Sequence, residues 1–116
     1  MPFTKEFLTH GTGGQPIPVA GTAGTAATAL HTAGTGTATK DEVWLYAANP
    51  GTAASVLTVQ FGGTGANFQN TVTITNNAGA YEIIPGWPIA NQGVVSAFST
   101  SAVKPLIYGF VNRITP

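Results

Sequence analysis

The chain has 116 residues, no cysteine, and four basic residues balanced by four acidic ones, which fits one small domain with a thin core. Charged residues make up only 7% of it, against about 25% in an ordinary soluble domain, so its surface is built from neutral groups. Four cations scattered over Lys5, Lys40, Lys104 and Arg113 form no phosphate-neutralising patch, and the lack of cysteine removes disulfides, thiol nucleophiles and CxxC metal sites.

Residues 1–20 combine Phe3, Phe7, Leu8 and Ile17 with a Gly/Pro stretch over 11–18. Proline favours extended or turn backbone, so this segment is expected to be an extended N-terminal arm, with residues 21–116 forming the folded domain. It has no uninterrupted apolar run behind a basic start, so no secretory signal is expected. Residues 21–39 are a Gly/Thr/Ala tract poor in helix formers. Two readings stay open there: a flexible linker, or a strand through Ala29, Leu30, His31 and Thr32.

From Glu42 onward the pattern is β. Residues 43–48 are a strand ended by Asn49-Pro50-Gly51-Thr52, where Pro and Gly suit a type II turn. Residues 54–61 alternate, with Leu57, Val59 and Phe61 opposed to Thr58 and Gln60, and the two segments read as a hairpin. Residues 71–75 place Val72 and Ile74 on one face and three threonines on the other. Residues 80–84 form a strand that Pro85 and Pro88 are expected to stop, and residues 94–100 and 106–114 complete the series. Six or seven short strands without a convincing helix predict an all-β chain, an antiparallel β-sandwich or jelly roll.

Two strands are apolar on both faces, which an antiparallel sheet with one solvated face does not require. Val43, Leu45 and Ala47 oppose Trp44, Tyr46 and Ala48; Leu106, Tyr108 and Phe110 oppose Ile107 and Val111. One face of each fills the core, and the other needs a cover. Either the arm folds back over it or a neighbouring subunit does. The short chain favours the subunit, so Trp44, Tyr46, Tyr108 and Phe110 are the candidate interface, in keeping with the enrichment of Trp and Tyr at protein contacts.

Chemistry is sparse. His10 and His31 have no partner at zinc-ligand spacing. Asp41 and Glu42, beside Lys40, read as solvated turn charges, and Glu82 stands alone, so a glycosidase pair is not expected. Gly34-Thr35-Gly36 and the glycines of 62–65 lack the Lys-Ser/Thr and helix of a phosphate loop, and no serine sits in a GxSxG context. Catalysis, a metal and a cofactor are therefore not expected. The paired threonines of 37–39 and 71–75 suit an ice- or sugar-facing sheet, but a single such strand is ordinary on an exposed face. Trp87, between Pro85 and Pro88, suits a ligand platform, a partner anchor, or a plug for the open end of a sandwich. No window approaches 18 apolar residues, so no membrane span is expected.

Four short motifs, Asp41-Glu-Val-Trp-Leu-Tyr-Ala47, Leu57-Thr-Val-Gln-Phe-Gly-Gly63, Ile84-Pro-Gly-Trp-Pro-Ile89 and Ile107-Tyr-Gly-Phe-Val-Asn-Arg-Ile-Thr115, occur in an order that resembles small structural proteins of tailed-bacteriophage virions, the head decoration (cement) proteins. The resemblance covers residues 28–115. It implies a β-sandwich or jelly-roll subunit, usually a homotrimer, on the outer surface of the capsid, binding the major capsid protein and stabilising capsomer contacts, with no catalytic residues. The arm lies outside the resemblance; from its own composition, Phe3, Phe7, Leu8 and Ile17 are the expected capsid-binding anchors, lying along the major capsid protein or a neighbouring subunit. The alternative is a receptor- or carbohydrate-binding module on a head fibre or tail, working through Trp87.

Overall fold

The structure, a computed structural model, describes residues 3–116. Nine strands run in chain order: β1 (Phe3–Phe7), β2 (Ile17–Pro18), β3 (Thr28–Thr32), β4 (Lys40–Ala48), β5 (Ser55–Phe61), β6 (Gln69–Ile74), β7 (Tyr81–Ile89), β8 (Val94–Ser99) and β9 (Leu106–Ile114). The only helical elements among the described residues are single 3₁₀ turns at Gly24–Ala26 and Ala66–Phe68. Two sheets pack together as an all-β sandwich. Sheet A has the order β1-β9-β4-β7, with β2 also paired to β9, and sheet B the order β3-β8-β5-β6.

The pairing is nested. β5 pairs with β6, β4 with β7, β3 with β8, and β1 with β9, all antiparallel. The chain is thus one long hairpin closed between β5 and β6, whose two arms pair back towards the termini and wrap around the core. Because the arms wrap, the connections from β2 onward change sheet, except that between β5 and β6. The hairpin expected between residues 43–48 and 54–61 is therefore corrected: β4 lies in sheet A, β5 in sheet B, and the intervening loop crosses the sandwich.

That crossing also corrects the type II turn. Gly51 does not have positive φ, as position i+2 of such a turn requires. The loop is closed by Asn49 instead. Its Nδ2 donates to Ala53 O at 2.8 Å and Ile74 O at 3.0 Å, and its Oδ1 accepts from the Gly51 amide at 2.9 Å. Glycine is needed at 51 because a Cβ would run into Val103.

Nor do Pro85 and Pro88 stop a strand, since β7 runs through both. It lies at the edge of sheet A, where a missing N–H costs no ladder bond, and register shifts against β4 on either side of Pro85 absorb the misfit. In the Gly/Thr/Ala tract, the strand reading is the one realised, as β3.

The core is the inward set of both sheets: Val43, Leu45, Ala47, Ile84, Ile107 and Val111 from sheet A and Leu30, Leu57, Val59, Ile74, Val95 and Ala97 from sheet B. Leu8, Ile17 and Val19 belong to it as well. The N-terminal segment is consequently no separate arm. β1 and β2 satisfy the hydrogen-bonding edge that β9 would otherwise expose, and the loop between them reaches sheet B, where His10 N donates to Leu30 O at 3.2 Å and Thr32 N to Thr9 Oγ1 at 2.7 Å.

Candidate interaction face

Strand alternation divides β4 and β9 as their sequences suggest. Val43, Leu45 and Ala47 are fully buried between the sheets, while Trp44 and Tyr46 are half-buried on the outer side of sheet A. Register then brings the outer residues together. Trp44 lies opposite Phe110 and Tyr46 opposite Tyr108 across β4 and β9, and Phe7 lies opposite Phe110 across β1 and β9. The four expected interface residues thus form one patch, extended by Phe3 beside Ile114 and by Phe7, which are 67% and 63% exposed. So the N-terminal segment widens this face without covering it.

The patch is held in place by contacts within the chain. The Trp44 and Phe110 rings are parallel, with centroids 6.2 Å apart and planes at 9°. Lys5 Nζ lies 4.6 Å from the Phe110 centroid, a cation–π geometry. Trp44 Nε1 donates to Glu42 Oε1 at 2.9 Å, and Asn112 Nδ2 donates to the same oxygen at 3.2 Å. Behind the indole sits Gly86 of β7, φ +87°, where a Cβ would come within 2.8 to 3.3 Å of three ring atoms. Positive φ and the absence of a side chain both matter there. Two shallow grooves open on this face. One of about 520 Å³ is lined by Lys5, Phe7, Gly14 and Phe110 among others, and one of about 270 Å³ by Phe3, Glu42, Asn112 and Ile114.

Sheet B presents a different outer surface. Thr58 and Thr71 share a hydroxyl hydrogen bond at 3.0 Å, and Ser96 Oγ donates to Gln60 Oε1 at 2.9 Å. Gln60 Nε2 then donates to Thr64 O at 3.1 Å and to Gly24 O at 3.4 Å. The Gly/Thr/Ala tract and the loop after β5 therefore close over Gln60, which is fully buried with its polar atoms satisfied, as burial demands.

Leu8 and Ile17 need correcting as capsid-binding anchors, because both lie in this chain's own core, 5% and 9% exposed. Trp87 pairs in register with Val43 and meets Phe61 of the opposite sheet edge-to-face at 5.5 Å, 39% exposed. It bridges the two sheets at the margin of the sandwich, remote in register from the row of Tyr46 and Tyr108.

A buried charged cluster escaped the sequence reading. Asp41, expected to be a solvated turn charge, is 1% exposed. Arg113 Nε and Nη2 donate to its Oδ1 and Oδ2 at 2.8 and 2.9 Å, and His31 Nε2 lies 2.7 Å from Oδ2. The Thr9 amide donates to His31 Nδ1 at 3.2 Å, so Nδ1 is the acceptor and Nε2 carries the proton to Asp41. Both ring nitrogens are committed, which leaves no lone pair for a substrate. Burial pushes the His31 pKa down, outweighing the Asp41 carboxylate that favours the cation. Burial alone would raise the Asp41 pKa, but hydrogen bonds from Arg113 and His31 overcome it and hold that pKa below its usual range. The signal was present: Asp41 continues the inward phase of Val43, Leu45 and Ala47, and Arg113 that of Ile107 and Val111.

Among the described residues, no group of three or more His, Asp or Glu side chains is placed to hold a metal ion. No family model, no curated protein and no solved structure matches the chain.

Proposed function

We propose that the chain is a structural virion protein, a capsid decoration (cement) subunit of a tailed bacteriophage, which binds the major capsid protein on the outer surface of the head and associates as a homotrimer. The observation that carries this reading is the contrast between the two outer faces. Sheet A gathers Trp44, Tyr46, Tyr108, Phe110, Phe3 and Phe7 on one surface, whereas the outer side of sheet B intersperses Val56, Val94 and Phe98 with Thr58, Thr71, Thr73, Gln60 and Ser96. Contiguous aromatic surface of this kind is what a protein contact consumes. Scarce charge is tolerable on a molecule that works inside an assembly.

Two further features support it. The nested strand pairing reads as a hairpin rolled into a jelly roll, an architecture used by viral capsid and lectin domains; that is an analogy of fold. The four sequence motifs resembling decoration proteins fall on β4, β5, β7 and β9 and the loop ends that follow them. In mechanical terms, a subunit seated across a seam between capsomers adds contact area that must be broken before the shell opens. Of the expected anchors, Phe3 and Phe7 remain outward-facing and are retained as capsid contacts, with Trp44, Tyr46, Tyr108 and Phe110 as the contact between subunits.

The test is to raise antibody against the purified chain and label intact virions of the phage that encodes it. Uniform labelling of heads supports the reading; labelling of tails or fibres alone overturns it. Heads stripped of the protein should regain heat resistance when the wild-type chain is added back, and should not with a Trp44→Ala/Phe110→Ala variant.

A further inference from the structure

A sandwich has four sheet edges, and each unpaired edge is a template for another strand. Here three are defended. β7 carries Pro85 and Pro88 and breaks register with β4. β3 has its outer Leu30 O and Thr32 N taken by His10 N and Thr9 Oγ1. At the fourth corner, β1 carries Lys5 and Glu6, and β2 is two residues long and ends in Pro18. Charge, proline and brevity are the usual guards of an edge.

β6 has none of these. It contains no proline and no charge, and pairs with β5 over six residues without a register shift. Gln69, Thr71 and Thr73 are exposed. Ile74 O is taken by Asn49 Nδ2 and the Gln69 amide by Ala66 O, but among the described residues no strand pairs with the outer edge from Asn70 to Thr73. Nor does the flanking sequence supply a charged guard, since no Asp, Glu, Lys or Arg occurs between Glu42 and Glu82.

We infer that the β6 edge is a self-association site, where β6 of a second copy pairs antiparallel about a two-fold axis and joins two B sheets into one continuous sheet. The occupant follows from charge and symmetry. An uncharged edge offers no electrostatic preference for a charged strand, and a second copy of a chain with zero net charge meets no long-range repulsion. A two-fold centred on Thr71 sets Thr71 against Thr71, Gln69 against Thr73, and Asn70 against Val72, with no like charges opposed. The same operation centred on Lys5 of β1 would oppose two lysines. This contact lies on sheet B, so a copy engaged through the aromatic face of sheet A keeps it free, and the inference does not depend on the virion reading.

Sedimentation velocity on the full chain tests it. The Trp44→Ala/Phe110→Ala chain, in which the sheet A contact is removed, should form a reversible dimer with rising concentration, and wild type should self-associate further through the same edge. Thr71→Lys, which opposes two lysines across the axis, should weaken the dimer about fivefold, and Thr71→Glu should do the same. An equimolar mixture of the two variants should restore dimer, which also establishes that each is folded. Amides of β6 in wild type should exchange more slowly at high than at low concentration. A wild type that stays monomeric, or a dimer that survives Thr71→Lys or is abolished by Trp44→Ala/Phe110→Ala alone, overturns the proposal.

Discussion

Asp41 and Arg113 face each other across β4 and β9, and the guanidinium donates two hydrogen bonds, 2.8 and 2.9 Å, to the two carboxylate oxygens. His31 adds a third bond to the same buried carboxylate, and the Thr9 amide holds His31 in turn. One anion thereby ties β3, β4, β9 and the loop after β1. Bidentate pairs of this type are geometrically demanding, and removing the carboxylate leaves the buried His31 without its acceptor.

Asp41→Ala is expected to destabilise the fold by about 3 kcal/mol, because it leaves the buried His31 and the partly buried Arg113 without their acceptor. Urea unfolding followed by tryptophan fluorescence measures it. Asp41→Leu combined with Arg113→Met should recover part of that loss, since two apolar side chains need no partner.

Stability should fall with acid in two stages. His31 is neutral when folded and has a lowered pKa, so below its ordinary value of 6.5 the unfolded chain binds the proton first. Its contribution is whole above that value and is lost as pH falls towards the folded pKa. Asp41, also lowered, contributes above its ordinary 3.8 and loses that contribution as pH falls through its folded value. Urea midpoints should therefore drop as pH falls below 6.5 and again below 3.8, in that order. His31→Gln should flatten the first drop.

Gly86→Ala should cost about 1–3 kcal/mol, because residue 86 has φ +87° and an added methyl would meet the Trp44 ring. The displaced indole should give a shifted emission maximum, which a neutral surface substitution such as Thr35→Ser would not.

A fragment of residues 19–116 should fail to fold. Treating the N-terminus as a detachable arm predicts the opposite, but the deletion removes Leu8 and Ile17 from the core and bares the β9 edge. Far-ultraviolet circular dichroism and gel filtration of the fragment distinguish the two outcomes: a soluble, cooperatively unfolding fragment would contradict a core that includes Leu8 and Ile17.

Much of the strand content was legible, because period-two alternation is a local property. It predicted β4, β5, β8 and β9 and sorted Trp44, Tyr46, Tyr108 and Phe110 onto outer faces before any pairing was known. The same phase placed Asp41 on the inward side of β4, and reading it as a turn charge gave residue type precedence over position. Pro85 and Pro88 misled in a related way, since proline ends a central strand but not an edge strand, and edge position is decided by the other strands.

Taken alone, the sequence determined an all-β chain with little charge, two strands apolar on both faces, and aromatic side chains clustered in phase. Only tertiary structure decided which strands meet. It set β4 and β5 in opposite sheets, folded Leu8 and Ile17 into the core, gathered His31, Asp41 and Arg113 on one carboxylate, and left β6 as the undefended edge. The physical reason is that alternation reports which way a side chain points from its own strand, whereas pairing depends on hydrogen bonds between residues as far apart as Phe3 and Ile114, about which no local pattern carries information.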